Sequence, residues 1–175
     1  ISEKLSNDLK NNLPKYSSIN YHNKIKSFTM EEYISNNNLK MVKYLCNINK
    51  YSEEILITYC KKSYIANNLK ILKYFVSLGI EIIEEDDKVF TYCCKNGYLD
   101  IVKYLVSLGS NIRENNNEAI IKACKNGYFD VVEYLISMGA NIRARNDIVL
   151  EDICRLGNLE LLKYMVSLGT NIKMN

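Results

Sequence analysis

The sequence predicts an all-α solenoid of helix-turn-helix repeats joined by short hairpin-like connectors. Three observations carry that expectation. Gly79, Gly109, Gly139 and Gly169 each close a Ser-Leu-Gly or Ser-Met-Gly triplet at a spacing of 30. Tyr44, Tyr74, Tyr104, Tyr134 and Tyr164 recur at the same interval, as do Gly97, Gly127 and Gly157. Between these markers the apolar residues fall three and four apart, the period of one helix face. A fixed period of this size marks units that cannot bury their apolar faces alone and must stack.

Taken in order, residues 1–27 match no repeat, are divided by Pro14, and read as a polar N-terminal segment or cap. About five repeats follow, at 28–50, 51–79, 87–109, 117–139 and 147–169. The first is degenerate: Leu39, Val42, Tyr44 and Leu45 are in phase, but Asn47-Ile-Asn stands where Ser-Leu-Gly is due. The second reads as carrying four extra residues between Cys60 and Leu69. The clearest unit begins at Asn117. Ala119, Ile120, Ala123 and Cys124 make one helix face, and Asn126-Gly127 turns the chain. Asp130 opens the second helix, where a carboxylate suits the positive helix end, and Gly139 stands where a left-handed cap is needed. The connector to Asp147 has one strong apolar anchor, Ile142, matched by Ile112 and Ile172.

Composition narrows the function classes. The chain has 175 residues, 47% apolar and 25% charged, with a net charge of +3. That suits a core-bearing domain and gives no case for nucleic-acid binding by bulk charge. No apolar run is long enough to span a bilayer, and the first residues lack the pattern of a secretory signal. The two Gly ladders use all seven glycines, leaving none for a phosphate-cradling loop. With a single histidine, His22, the parts of a catalytic triad or a histidine zinc site are missing, so no catalytic residue, metal ligand or cofactor site is assigned and the chain is expected not to be an enzyme.

The six cysteines give no metal or disulfide either. Cys60, Cys94, Cys124 and Cys154 read as one thiol per repeat layer. Stacked helices lie about 8–10 Å apart. Zinc needs sulfur at about 2.3 Å, and a disulfide needs Cα atoms within about 7 Å. Small thiols packed between helices are the expectation, and they favour an intracellular reducing compartment. The tyrosine ladder lies inside a Val-x-Tyr-Leu stripe and reads as inter-repeat packing. The series Lys43, Lys73, Lys103 and Lys163 is interrupted by Glu133 and reads as a mixed, solvated face.

The stretches Cys94-Lys-Asn-Gly-Tyr-Leu-Asp-Ile-Val-Lys-Tyr-Leu105 and Ala123-Cys-Lys-Asn-Gly-Tyr-Phe-Asp-Val-Val-Glu-Tyr-Leu135 resemble the Ala-Ala-x-x-Gly-His-x-x-Val-Val-x-x-Leu core of ankyrin repeats. Gly139-Ala-Asn-Ile142 is similar to that family's Gly-Ala-Asp-Val. The resemblance covers 28–175, weakly before 53. The period is 30 rather than the family's 33, Glu118-Ala-Ile-Ile121 replaces Thr-Pro-Leu-His, and Tyr98 and Tyr128 replace the usual His. Short, Pro-poor, Lys/Asn/Ile-rich repeats of this kind look most like the ankyrin proteins of giant amoeba-infecting DNA viruses (mimivirus type).

The resemblance implies a non-catalytic scaffold that binds another protein on its concave face, viral and acting on host proteins. The expected location is then the host cytoplasm, with the virion as the other. Carried over by position, the partner-binding residues are Glu32, Thr58, Tyr92, Lys122 and Asp152, with Lys95, Lys125 and Arg155 three residues later. The connectors add a charge gradient, from acidic Glu81, Glu84, Glu85, Asp86 and Asp87, through Arg113 beside Glu114, to basic Arg143 and Arg145. No nucleic-acid or membrane partner is expected. The last second helix, Leu159–Leu168, does not turn polar on its outer side, and Thr170-Asn-Ile-Lys173 begins another connector. More repeats beyond residue 175 are the expected reason. The alternative function is a structural or virion-assembly component self-associating through that open C-terminal repeat.

Overall fold

The computed structural model describes residues 29–82, 86–141 and 146–169. The N-terminal segment 1–27, the connector anchors Ile142 and Ile172, and His22 lie outside them. The described residues form helices and turns with no strand. They divide into two compact units, the boundary falling after Ile82.

The N-terminal unit contains α1 (Met30–Ser35), α2 (Leu39–Ile48), α3 (Glu53–Ile65) and α4 (Leu69–Ser77). Helix α1 packs on α2 and α3, α3 on α4, and α2 on α4. The C-terminal unit contains α5 (Asp86–Lys95), α6 (Leu99–Ser107), α7 (Glu114–Lys125), α8 (Phe129–Ser137), α9 (Asn146–Leu156) and α10 (Leu159–Ser167). There α7 packs against both α5 and α9, α8 against α6, and each first helix against its own second helix. Within each unit the first helices therefore make one row and the second helices another.

Burial follows the apolar spacing. Val42 and Leu45 on α2 and Ile71, Leu72 and Phe75 on α4 are buried, as are Ile101, Val102 and Leu105 on α6 and Val131, Val132 and Leu135 on α8. These positions are one, three and four residues apart and lie on one face. Full burial of such a side chain contributes about 1.5–3 kcal/mol. The first helices oppose them with Val89, Phe90, Cys93 and Cys94 on α5, and with Ala119, Ile120, Ala123 and Cys124 on α7. The second helices from α4 onward end on glycines in the left-handed region, whereas α2 ends on Asn49 at φ −106°. Gly79 has φ 92°, and the next amide, Ile80 N–H, donates back to the Phe75 carbonyl. Ser110 and Ala140 do the same to Leu105 and Leu135. The last carbonyls of α4, α6 and α8 are thus satisfied.

The turn inside each pair corrects the sequence reading of the second repeat. Gly97, Gly127 and Gly157 have φ 73°, 77° and 67°, and the residues 30 and 60 positions before Gly97, Asn67 and Asn37, have φ 55° and 53°. Asparagine is the side chain that best tolerates this region, so it replaces glycine without lengthening the turn. The period of 30 therefore runs unbroken, and there is no four-residue insertion. Cys60 aligns with Phe90 rather than Cys94, and buried Ser63 aligns with Cys93. The thiol register is also shorter than expected at its other end. Cys124 is buried but Cys154 is exposed, because α9 is the last first helix described and none covers its far side. Helix α7 starts earlier than its apolar pattern does. Its first turn ends at Asn117, at φ 63°, whose buried side chain accepts a 3.0 Å hydrogen bond from the Asn141 amide.

Candidate functional site

The surface to be tested is the outward side of the first helices. A period of 30 sets its register: Glu32, Lys62, Tyr92, Lys122 and Asp152, then Ser35, Ile65, Lys95, Lys125 and Arg155 one turn later. Thr58 does not belong to this register. It was placed there by aligning Cys60 with Cys94; its hydroxyl instead donates at 3.0 Å to the Glu54 carbonyl of its own helix. Lys62 holds the position, and its Nζ lies 3.3 Å from a Glu31 carboxylate oxygen. A backbone hydrogen bond first, opposed by burial and aided by Lys62, keeps the Glu31 carboxyl below its usual range. Lys62 and Ile65, the latter 49% exposed, were missed because the turn signal at Asn67 is an asparagine where glycine was sought.

In the N-terminal unit Glu32 is exposed but caps α1. Its carboxylate accepts from the Thr29 amide while its own amide donates to Thr29 Oγ1 at 3.3 Å, a reciprocal box. In the C-terminal unit Tyr92 is half-buried, edge-on to Tyr98 with centroids 6.2 Å apart. Lys122 pairs with Glu118 one turn back at 3.7 Å. Lys95 is exposed at the end of α5.

Three expected site residues meet. Asp152 is buried, at 8% exposure, between α7 and α9. Arg155 of its own helix donates to Oδ1. Lys125 Nζ approaches Oδ2 at 3.1 Å as an ion pair, too oblique for a hydrogen bond. Two cations on one partly buried carboxylate leave the cluster with net positive charge, and they link repeat to repeat. Arg113 also turns inward: its Nε donates to the Gly139 carbonyl at 2.9 Å, tying one connector to the end of α8. Arg143 and Arg145 lie outside the described residues, as do Glu84 and Glu85.

On the second helices the lysine series has a structural role that the sequence reading lacked. Lys43 Nζ stands 5.4 Å from the Tyr74 ring centroid and Lys103 Nζ 5.6 Å from that of Tyr134. Such contacts contribute about 0.5–1 kcal/mol at exposed sites. Where Glu133 replaces lysine, the partner Tyr164 packs edge-on to Phe129 at 5.2 Å, and burial, helped by Glu133, pushes its phenol up.

The buried thiols are chemically quiet. Burial pushes Cys60, Cys93 and Cys124 up to about 12 and Cys46 to about 11, and raises Cys94 as well. At neutral pH they remain protonated and poorly nucleophilic. Among the described residues no three His, Cys, Asp or Glu side chains are grouped to hold a metal ion. No helix there is long and apolar enough to cross a membrane.

A family model described as ankyrin repeats (3 copies) matches residues 63–146 and 90–175, together more than half of the chain. The chain belongs to the ankyrin-repeat family. Ankyrin repeats typically build non-catalytic scaffolds and generally mediate protein–protein interaction. No curated protein matches the chain in sequence.

Proposed function

We propose that the chain binds a partner protein through the outward side of its first helices and their connectors, as a viral scaffold acting on host proteins. One observation carries this reading: Lys95, Lys125 and Arg155 recur at a single register, exposed, on helices that bury Val89, Phe90, Cys93, Ile120, Cys124 and Ile153 on the opposite side. Preorganised helices reduce the ordering cost of binding. Tyr92, Lys122 and the Lys125–Asp152–Arg155 cluster complete the surface in the C-terminal unit. Glu32 holds the same sequence register in the N-terminal unit, and Arg113 stands on a connector of the C-terminal unit; Arg143 and Arg145, outside the described residues, are added from the sequence. Viral origin is supported by the Lys/Asn/Ile-rich repeats of period 30, and a reducing host cytoplasm by the buried, protonated thiols.

Affinity capture from amoebal lysate tests the reading, comparing the wild type with a Lys95→Glu/Lys122→Glu variant. A protein retained by the first and lost by the second is the expected result. Identical catches would overturn it.

A second reading is favoured by the outer side of the last repeat. Leu156, Leu159 and Val166 are 51%, 60% and 45% exposed beside exposed Cys154. A structural component would self-associate through this apolar face. Sedimentation showing a size that rises with concentration supports that reading, and a strict monomer at high concentration removes it.

A further inference from the structure

We infer that the N-terminal unit carries a second interaction surface, on its second helices, that docks an acidic segment of a partner protein. It is separate from the first-helix face and does not depend on it. Lys40 and Lys43 on α2 and Lys70 and Lys73 on α4 are all exposed. The two helices pack together, and Lys43 Nζ lies over the ring of Tyr74, the neighbour of Lys73. The four exposed lysines therefore stand on the two adjoining second helices of one unit. Neither helix contains an Asp or Glu.

The other repeats supply an internal control. At the register of Lys40 and Lys70 stand Asp100, Asp130 and Glu160, each in the first turn of its helix. A carboxylate there is favoured by the partial positive charge of the helix N-terminus, and a lysine there is repelled by it. The fold accommodates an acid at this position three times. In the N-terminal unit both repeats carry the opposite charge, against the helices that hold it. No carboxylate among the described residues pairs with Lys40 or Lys70. Charge that works against its own helix and has no partner among the described residues is placed for an external one.

The spacing indicates the partner. On each helix the two lysines are one turn apart, and the helices lie about 8–10 Å from each other. Carboxylates one turn apart on an acidic helix, or alternating along a strand, reach such a patch. Tyr44 and Tyr74 are half-buried in inter-repeat packing and offer no platform for stacking bases. The exposed positions beyond Lys43 and Lys73 include Asn47 and Ser77, which give no apolar wedge for a bilayer. The exposed Ile48 lies more than a turn past Lys43, at the far end of α2.

The test is a Lys40→Asp/Lys70→Asp variant, which installs the residue that α6 and α8 already carry. Binding of a fluorescein-labelled oligoglutamate peptide is read by anisotropy at low salt. A Lys88→Asp/Lys163→Asp variant, with the same change in net charge, is the control. The expected result is a loss of affinity of roughly tenfold or more in the first variant and near wild-type binding in the control. The first variant should melt at or above the wild-type temperature, which separates lost docking from misfolding. Equal losses in the two variants would overturn the patch, leaving only bulk charge. Tighter binding of duplex DNA, or of phosphatidylserine vesicles, than of the peptide would overturn the choice of a protein partner.

Discussion

In the N-terminal unit the turn inside each helix pair is made by Asn37 and Asn67; in the C-terminal unit it is made by Gly97, Gly127 and Gly157, all five at positive φ. What packs on the turn changes with it. A Cβ on Gly97 would lie 2.4 Å from Cδ1 of Tyr128, so the glycine leaves room for the aromatic ring of the next repeat. On the N-terminal side, where the turn residue has a Cβ, the residue at the register of Tyr128 is Asn68, and its side chain donates to the Ile34 carbonyl. Gly127 is intermediate: Asn158 Nδ2 donates to its carbonyl at 3.2 Å. Stacking demands the left-handed turn; a glycine there can take either a ring, as Gly97 does, or an amide, as Gly127 does, whereas the asparagine turn at Asn37 is closed by the Asn68 amide.

The largest expected effect lies in the core of the C-terminal unit. Leu135→Ala, at a fully buried site, should cost about 2–5 kcal/mol in urea denaturation. Leu45→Ala, at the same register in the N-terminal unit but 9% exposed, should cost less. A Leu135 loss below about 0.5 kcal/mol, the level of a surface change, would refute the helix phase.

Gly97→Ala comes next, at about 2–4 kcal/mol, because the methyl meets the Tyr128 ring and the backbone is left-handed. Gly79→Ala, with nothing within 4 Å of the added methyl, should cost only the φ strain, about 1 kcal/mol. Equal losses at the two sites would mean that the ring contact contributes nothing.

Alkali should separate the units by their thiols. A raised folded pKa means that above pH 9.0, the unperturbed value, the unfolded chain loses protons that the folded chain keeps, so stability falls as pH rises. The fall continues until the folded values near 12 are reached. Each deeply buried thiol contributes up to about 1.4 kcal/mol per pH unit in that window. The C-terminal unit holds Cys93, Cys94 and Cys124 and the N-terminal unit only Cys60 at comparable depth. Cys124→Ala, which removes a buried thiol, should flatten the alkaline slope more than Cys154→Ala, which removes an exposed one. Identical slopes would refute the linkage.

The smallest effect is a gain. Asn67→Gly should stabilise by about 0.5 kcal/mol, since glycine adopts φ 55° without a Cβ penalty. A loss instead would show that the Asn67 side chain contributes more to the joint than its backbone strain costs.

Much of the fold was legible because helix pairs are local: the Gly79 and Gly97 series, the Tyr ladder and the three-and-four spacing around Leu105 and Leu135 need only neighbouring residues. The site was less so. Tyr92, Lys95, Lys122 and Lys125, carried over by position from the ankyrin resemblance, share one 30-residue register in α5 and α7. Thr58 was misplaced, and Lys62 missed, because Asn67 performs a glycine's role without being one.

The sequence by itself determined that this chain is a stack of α-helix pairs with a 30-residue period, since period and turn chemistry are written within each unit. Only the tertiary structure decided which charges meet. Asp152 between Lys125 and Arg155, Arg113 on the Gly139 carbonyl, and Lys43 and Lys103 over the next tyrosines all depend on how one layer seats on another. Most of those contacts join residues some 26 to 31 positions apart, where reach and burial, not local spacing, select the partner.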